Sequence, residues 1–180
     1  MNFPDTRTHR KVTIMPLVSP ITLEPVSTPR ICECLARWTR LTRQAQAAQR
    51  GGRRELALAS YIRALWTAET LMEGSALAQR PDDCLAALVV SHHNLSDQYR
   101  ALGQFNEAVD HLCQPHALLL RLAGDQAVAL EIRQATWRHL RQTRAECLAW
   151  LRQYGSEPAI EAVLHVPAPI AHGIGSCCFH

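Results

Sequence analysis

The chain has 180 residues, is 47% apolar and 19% charged, and sets 19 basic side chains against 16 acidic ones for a net charge of +3. That length supports one domain with its own hydrophobic core and is too short for two large ones, and the composition excludes a disordered or fibrous chain. No apolar run reaches the roughly 18 residues of a membrane span, and so small a cationic surplus does not make a phosphate-binding face, so neither a membrane nor a nucleic acid is expected as partner.

Residues 1–30 hold Pro4, Pro16, Pro20, Pro25 and Pro29. A proline every few residues removes amide donors and disfavours helix at the residue before it, so this segment reads as a disordered leader. Arg7, Arg10 and Lys11 precede an apolar run in the outline of a secretion signal. Pro16 and Pro20 interrupt that run, Glu24 follows it, and no small-residue cleavage site is present; Met15 is an alternative start. From 31 to 155 the glycines act as punctuation, each after a segment of helical period, and the predicted helices are 31–50, 53–73, 82–102, 105–121 and 125–154. Residues 156–180 contain Pro158, Pro167, Pro169, Gly173 and Gly175 and read as a flexible tail, with at most a helical turn across Ile160, Ala162 and Leu164. The fold class is therefore all-α, with a helical domain over 31–155.

The helix at 82–102 carries one apolar stripe, Leu85, Leu88, His92, Leu95, Tyr99 and Leu102, and Asp82 and Asp83 are placed to cap its first turn. Only a residue or two separates it from the helix at 105–121, which forces an antiparallel hairpin. The hairpin reads Asn94-Leu95, Tyr99, Leu102-Gly103, Phe105, Glu107-Ala108-Val109 and Leu112. From residue 38 onward, Ala45, Ala48, Gly52, Ala57, Tyr61 and Ala64 take the places of Ser96, Tyr99, Gly103, Ala108, Leu112 and Pro115. This pattern resembles the tetratricopeptide repeat, a helix–turn–helix unit with small side chains at the helix crossing and glycine at the turn. The resemblance covers about 38–71 and 89–122. Pro115 departs from it and should kink or split its helix, and Gly52 and Gly103 lie further apart than the repeat length. Residues 123–156 give no third copy, so 125–154 is expected to be a long helix capping the stack.

The resemblance implies short stacked hairpins with a groove along their first helices. At the groove positions stand Thr42, Gln46 and Gln49 in the first copy and His93, Asp97 and Arg100 in the second. That polar, mixed-charge set lacks the Lys/Asn arrangement with which some family members grip a terminal carboxylate. It fits a protein, peptide or helix partner of open sequence, and a non-catalytic adaptor or chaperone-like role.

Metal chemistry is the competing expectation. His92 and His116 could face one another across the hairpin and share a proton or a metal, although a core histidine bonded to a carbonyl, such as the one Pro115 frees at His111, is the plainer reading. His172, Cys177, Cys178 and His180 fall within nine residues and would suit Zn or Cu, without zinc-finger spacing. The Cys177-Cys178-Phe179-His180 ending has only the outline of a prenylation box. A helical enzyme around His92, Tyr99 and His116 is a weaker third reading, and no cofactor is expected from the leading one. Of the seven cysteines, Cys84, Cys113 and Cys147 sit in helical patterns as small hydrophobes, and Cys32-Glu33-Cys34 belongs to the start of the first helix. An odd cysteine count without a dense framework fits a reducing cytoplasm, and a cation set that is arginine except for Lys11 fits the coding bias of a GC-rich bacterium. The arginines of the last helix alternate with Glu131 and Glu146 and read as a solvated face.

Overall fold

Helix after helix follows the glycine punctuation. The computed structural model describes residues 28–73 and 75–166, and every regular element among them is helical. In chain order these are α1 (Thr28–Arg50), α2 (Arg54–Met72), α3 (Ser75–Gln79), α4 (Pro81–Ala101), α5 (Phe105–Gly124), α6 (Leu130–Tyr154) and α7 (Pro158–His165). None of the described helices is long and apolar enough to cross a membrane.

The first two hairpin turns are built identically. At the first, Gly52 N–H donates to Gln49 C=O (3.0 Å) and Arg53 N–H to Ala48 C=O (2.9 Å). At the second, Gly103 N–H donates to Arg100 C=O (3.0 Å) and Gln104 N–H to Tyr99 C=O (2.9 Å). This paired closure satisfies carbonyls the helix end would leave open, and it needs a left-handed residue, which Gly52 (φ +69°) and Gly103 (φ +76°) supply. Five residues past each glycine, Ala57 and Ala108 are fully buried, and their small side chains let the second arm approach the first.

The hairpins then stack. Thr28 hydroxyl donates to Gln79 Oε1 and Trp38 Nε1–H to Ser91 Oγ, which runs α1 parallel to α4. Arg138 binds Asp82 near the start of α4 and Arg100 reaches Gln153 and Tyr154 near its end, so α4 runs parallel to α6. Between α5 and α6 the order reverses: Cys147 lies on the Leu112 carbonyl and His116 on Thr143. One core, with Ile31, Tyr61, Leu71, Leu88 and Leu95, lies among α1, α2 and α4; another, with Leu85, Leu119, Leu140, Trp150 and Ile160, joins α4 to α5, α6 and α7.

Several expectations change. Helix 125–154 begins at Leu130, because Asp125 instead turns the chain by accepting from Ala127 N–H (2.8 Å). α6 does close the stack over α4 and α5, but it is not the last helix. Gly155 (φ +89°) turns the chain and α7 follows, with Ile160 fully buried at the place Ala57 and Ala108 hold in the earlier units. A third hairpin therefore exists beyond the boundary expected at 155. Pro158 starts α7 instead of breaking it: at the first helical position its missing N–H costs nothing, and Glu157 accepts from Ala159 N–H. Pro115 does not split α5, which stays helical from Phe105 to Gly124 with the proline buried between neighbouring helices. Pro81 opens α4, so Asp82 and Asp83 lie inside its first turn and pair with Arg138 and Arg80 rather than capping it.

Candidate interaction face

Helices α1, α4 and α6 run parallel, and the sequence-predicted groove residues fall on the first two. Gln46 and Gln49 are exposed on α1, but the Gln49 amide oxygen is used within the hairpin, accepting from the Tyr61 hydroxyl (3.0 Å). Thr42 turns inward and is only 8% exposed, which removes it from any groove surface. Burial first, and the charge of Asp97 second, push the Tyr61 phenol up.

On α4 two of the three predicted residues, Asp97 and Arg100, are paired. Arg100 Nη2 binds Asp97 Oδ1 at 2.8 Å, one turn apart on the helix. Nη1 of the same guanidinium reaches Gln153 Oε1 and the Tyr154 hydroxyl, each at 3.5 Å. These groups, with Glu146 and Trp150, line a cleft of about 100 Å³ between α4 and α6. His93 is half-buried one turn before Asp97, and its Nε2 has no hydrogen-bond partner among the described residues. Burial holds this imidazole below its ordinary pKa, while the Glu146 and Asp97 carboxylates pull it back upward. The cleft thus combines a cation, two carboxylates and two aromatic rings, and the buried, unpartnered Nε2 of His93 lies one turn before Asp97 on the same helix. Glu146, Trp150, Gln153 and Tyr154 were not among the predicted residues. The position of Gly155, 52 residues after Gly103, was the signal that α6 repeats the role of α4.

The predicted metal and proton pair is not assembled. His92 Nδ1 lies 3.0 Å from His111 Nδ1, and Tyr99 stacks on His111 at 5.4 Å. His116 Nδ1 instead meets the Thr143 hydroxyl at 2.8 Å on the other side of α5. A short imidazole–imidazole contact of this kind requires one Nδ1 to donate and the other to accept, which excludes a charge on both rings at once. Desolvation holds His92 down to about 3 and lowers His111 and His116 as well. Among the described residues no group of three or more His, Cys, Asp or Glu side chains is placed to hold a metal ion. His172, Cys177, Cys178 and His180 lie outside the described residues. Burial pushes the thiols of Cys84 and Cys113 up to about 11 and that of Cys147 up to about 12, so these three behave as packing groups and not as nucleophiles.

The family described as "Protein of unknown function (DUF2753)" matches residues 36–168 of the chain. The chain belongs to this family. No curated protein and no solved structure matches it. The DUF2753 span takes in every predicted groove residue, the whole of the α4–α6 cleft and all of α7. It stops short of His172, Cys177, Cys178 and His180.

Proposed function

We propose that this DUF2753 protein is a non-catalytic interaction module that holds a peptide or helix of a partner protein along the face of α1, α4 and α6. The observation that carries the reading is the cleft in which Asp97, Arg100 and Glu146 of two parallel helices face one another beside Trp150 and Tyr154. Two matching glycine turns, buried Ala57 and Ala108 at the crossings, and first arms that run parallel support a tetratricopeptide-like array, in which such a face is concave and binds extended or helical segments. His92 and His111, bonded to each other and both held below the ordinary imidazole pKa by burial, favour binding over acid–base chemistry, because a general base needs a pKa near the working pH.

The test replaces His93→Ala together with Arg100→Glu in the full-length chain. Immobilised wild type and variant are incubated with extract from the source cells, and bound proteins are identified by mass spectrometry. The proposal expects a wild-type partner to be lost, with affinity for it weakened about tenfold or more, while circular dichroism stays unchanged. The same set of partners on both proteins, at the same affinity, overturns it.

A further inference from the structure

Helix register sets what the α4–α6 cleft can hold. The two helices run parallel, and Arg100 meets Gln153 and Tyr154. One turn earlier, Ser96 and Asp97 lie level with Ala149 and Trp150, and one turn before that His93 lies level with Glu146. Ala149 is the small residue of this stretch, and the cleft of about 100 Å³ beside it has room for one side chain, not for a helix.

The polar groups around this recess are chiefly acceptors. Ser96 lines it, is only 4% exposed, and makes no side-chain hydrogen bond among the described residues. Asp97 gives Oδ1 to Arg100, and its Oδ2 has no partner among the described residues. Glu146 forms no ion pair among them either. Gln153 Oε1 and the Tyr154 hydroxyl each stand 3.5 Å from Arg100, at the long limit of a hydrogen bond. The Arg100 charge is answered by Asp97, so the recess keeps the negative charge of Glu146. Glu146 lies two turns before Gln153 on α6, which separates it by about 10 Å from the end that Arg100 reaches. Trp150 and Tyr154 pack with ring centroids 4.6 Å apart, and Phe105 backs them at 6.2 and 5.7 Å, so an aromatic wall is held beside the carboxylates.

These features discriminate among side chains. An acidic one would meet Glu146 at like charge, and an apolar one would leave the Ser96 hydroxyl and two carboxylates without donors. A guanidinium brings five donors in one plane and a cation for the aromatic wall, which suits oxygens spread over two helices better than the three donors of an ammonium. We propose that this recess is the specificity pocket of the interaction face and takes one arginine side chain of the partner protein. The inference rests on the face proposed above and names what that face selects. The guanidinium lies between Glu146 and Asp97, donates to both carboxylates and to the Ser96 hydroxyl, and rests against Trp150.

The probe is the blocked tripeptide acetyl-Ala-Arg-Ala-amide, with matched peptides that carry citrulline or lysine in place of arginine. Citrulline keeps the shape of arginine and loses its charge. Proton NMR of the full-length protein reads the tryptophan indole N–H signals, assigned by single Trp→Phe variants. Trp150 lines the recess and Trp137 lines a different cleft. The arginine peptide should move the Trp150 signal with a Kd on the order of 1 mM and leave the Trp137 signal in place. The citrulline peptide should bind about tenfold more weakly, and the lysine peptide about threefold. Glu146→Gln, an exposed position, should weaken the arginine peptide about tenfold at unchanged helicity. No movement of the Trp150 signal, equal binding of the citrulline or lysine peptide, or full affinity in Glu146→Gln overturns the proposal. The face is judged separately. A partner from the extract that is lost on His93→Ala with Arg100→Glu, yet binds Glu146→Gln as tightly as wild type, keeps the face and overturns the arginine pocket. Equal partner binding by all three proteins overturns the face itself.

Discussion

The His92–His111 contact shows what a single buried pair asks of the molecule. Two imidazoles at 3.0 Å between Nδ1 atoms share one proton between those nitrogens and cannot both be charged. His92 faces a cleft that also holds Glu69, Glu73 and Arg121, His93 is its chain neighbour, and Asp110 stands beside His111. Burial outweighs the carboxylates, and both rings are held below their ordinary value, His92 down to about 3. His93, His116 and His139 are lowered too, each chiefly by burial. An unfolded chain titrates these groups near pH 6.5, whereas the fold refuses the protons, so below pH 6.5 the unfolded state binds more protons and gains. The histidine contribution to stability is therefore complete above about pH 7 and is lost progressively as pH falls from 6.5 toward 3. Urea unfolding at several pH values between about 7.5 and 5 should show the midpoint falling steadily on the acid side. His111→Gln keeps a polar partner for His92 and removes one titrating ring, so the slope should shrink by up to about 1.4 kcal/mol per pH unit. An unchanged slope between pH 6 and 5 in that variant would show that the pair does not resist protonation.

At the level of the helices, the turns decide where each element ends. Gly52 and Gly103 have positive φ, and a side chain added at either meets nothing within 4 Å. The cost of Gly52→Ala or Gly103→Ala is therefore conformational and not steric, about 1–2 kcal/mol each. Thermal melts should fall by about 2–6 °C per substitution, and the double variant should show nearly the sum, since the two turns share no partners. A Gly103→Ala variant with the wild-type melting point would mean the turn relaxes into another geometry. These glycines are also why so much of the fold was legible in the sequence: apolar residues at helical spacing defined α1, α2, α4 and α5, and glycine marked their ends. What escaped had physical reasons. α3 spans five residues, too few to show a period. α7 showed only as a helical turn across Ile160, Ala162 and Leu164, because Pro158 reads as a breaker until its place at the first helical position is known, and because Ile160 replaces the alanine of the other two crossings. In the candidate site, Asp97 and Arg100 fall on one helix face that the spacing in the sequence already shows. Glu146, Gln153 and Tyr154 were not legible, because their part depends on α6 lying parallel to α4 at an offset that no single helix reveals. His111 went unseen as the partner of His92 because the two meet only across the hairpin.

Across the whole molecule, α4 is the helix that makes three hairpins one body. It sends Cys84, Ala87, Leu88 and Leu95 into the core shared with α1 and α2, and Leu85 and Val89 into the core shared with α5, α6 and α7. Repeat arrays whose units touch only their neighbours lose cooperativity when one interface weakens, since stability is a sum of unit and interface contributions. Here the two cores take neighbouring stripes of one helix, and losing either exposes apolar residues of the element that organises the other. Unfolding should therefore be a single transition. Trp38 reports on the first hairpin through its bond to Ser91 (2.8 Å), and Trp150 reports on the third through its contacts with Phe105 and Tyr154. Variants that keep only Trp38 or only Trp150, the remaining tryptophans changed to Phe, should each give a fluorescence melt that coincides with their own circular dichroism melt. Adding Leu88→Ala removes a side chain that is 2% exposed and belongs to the first core. It should cost about 2–5 kcal/mol and shift the melt of both single-tryptophan backgrounds by the same amount. A shift confined to the Trp38 background would show that the third hairpin stands without the first, and that α4 divides the molecule instead of joining it.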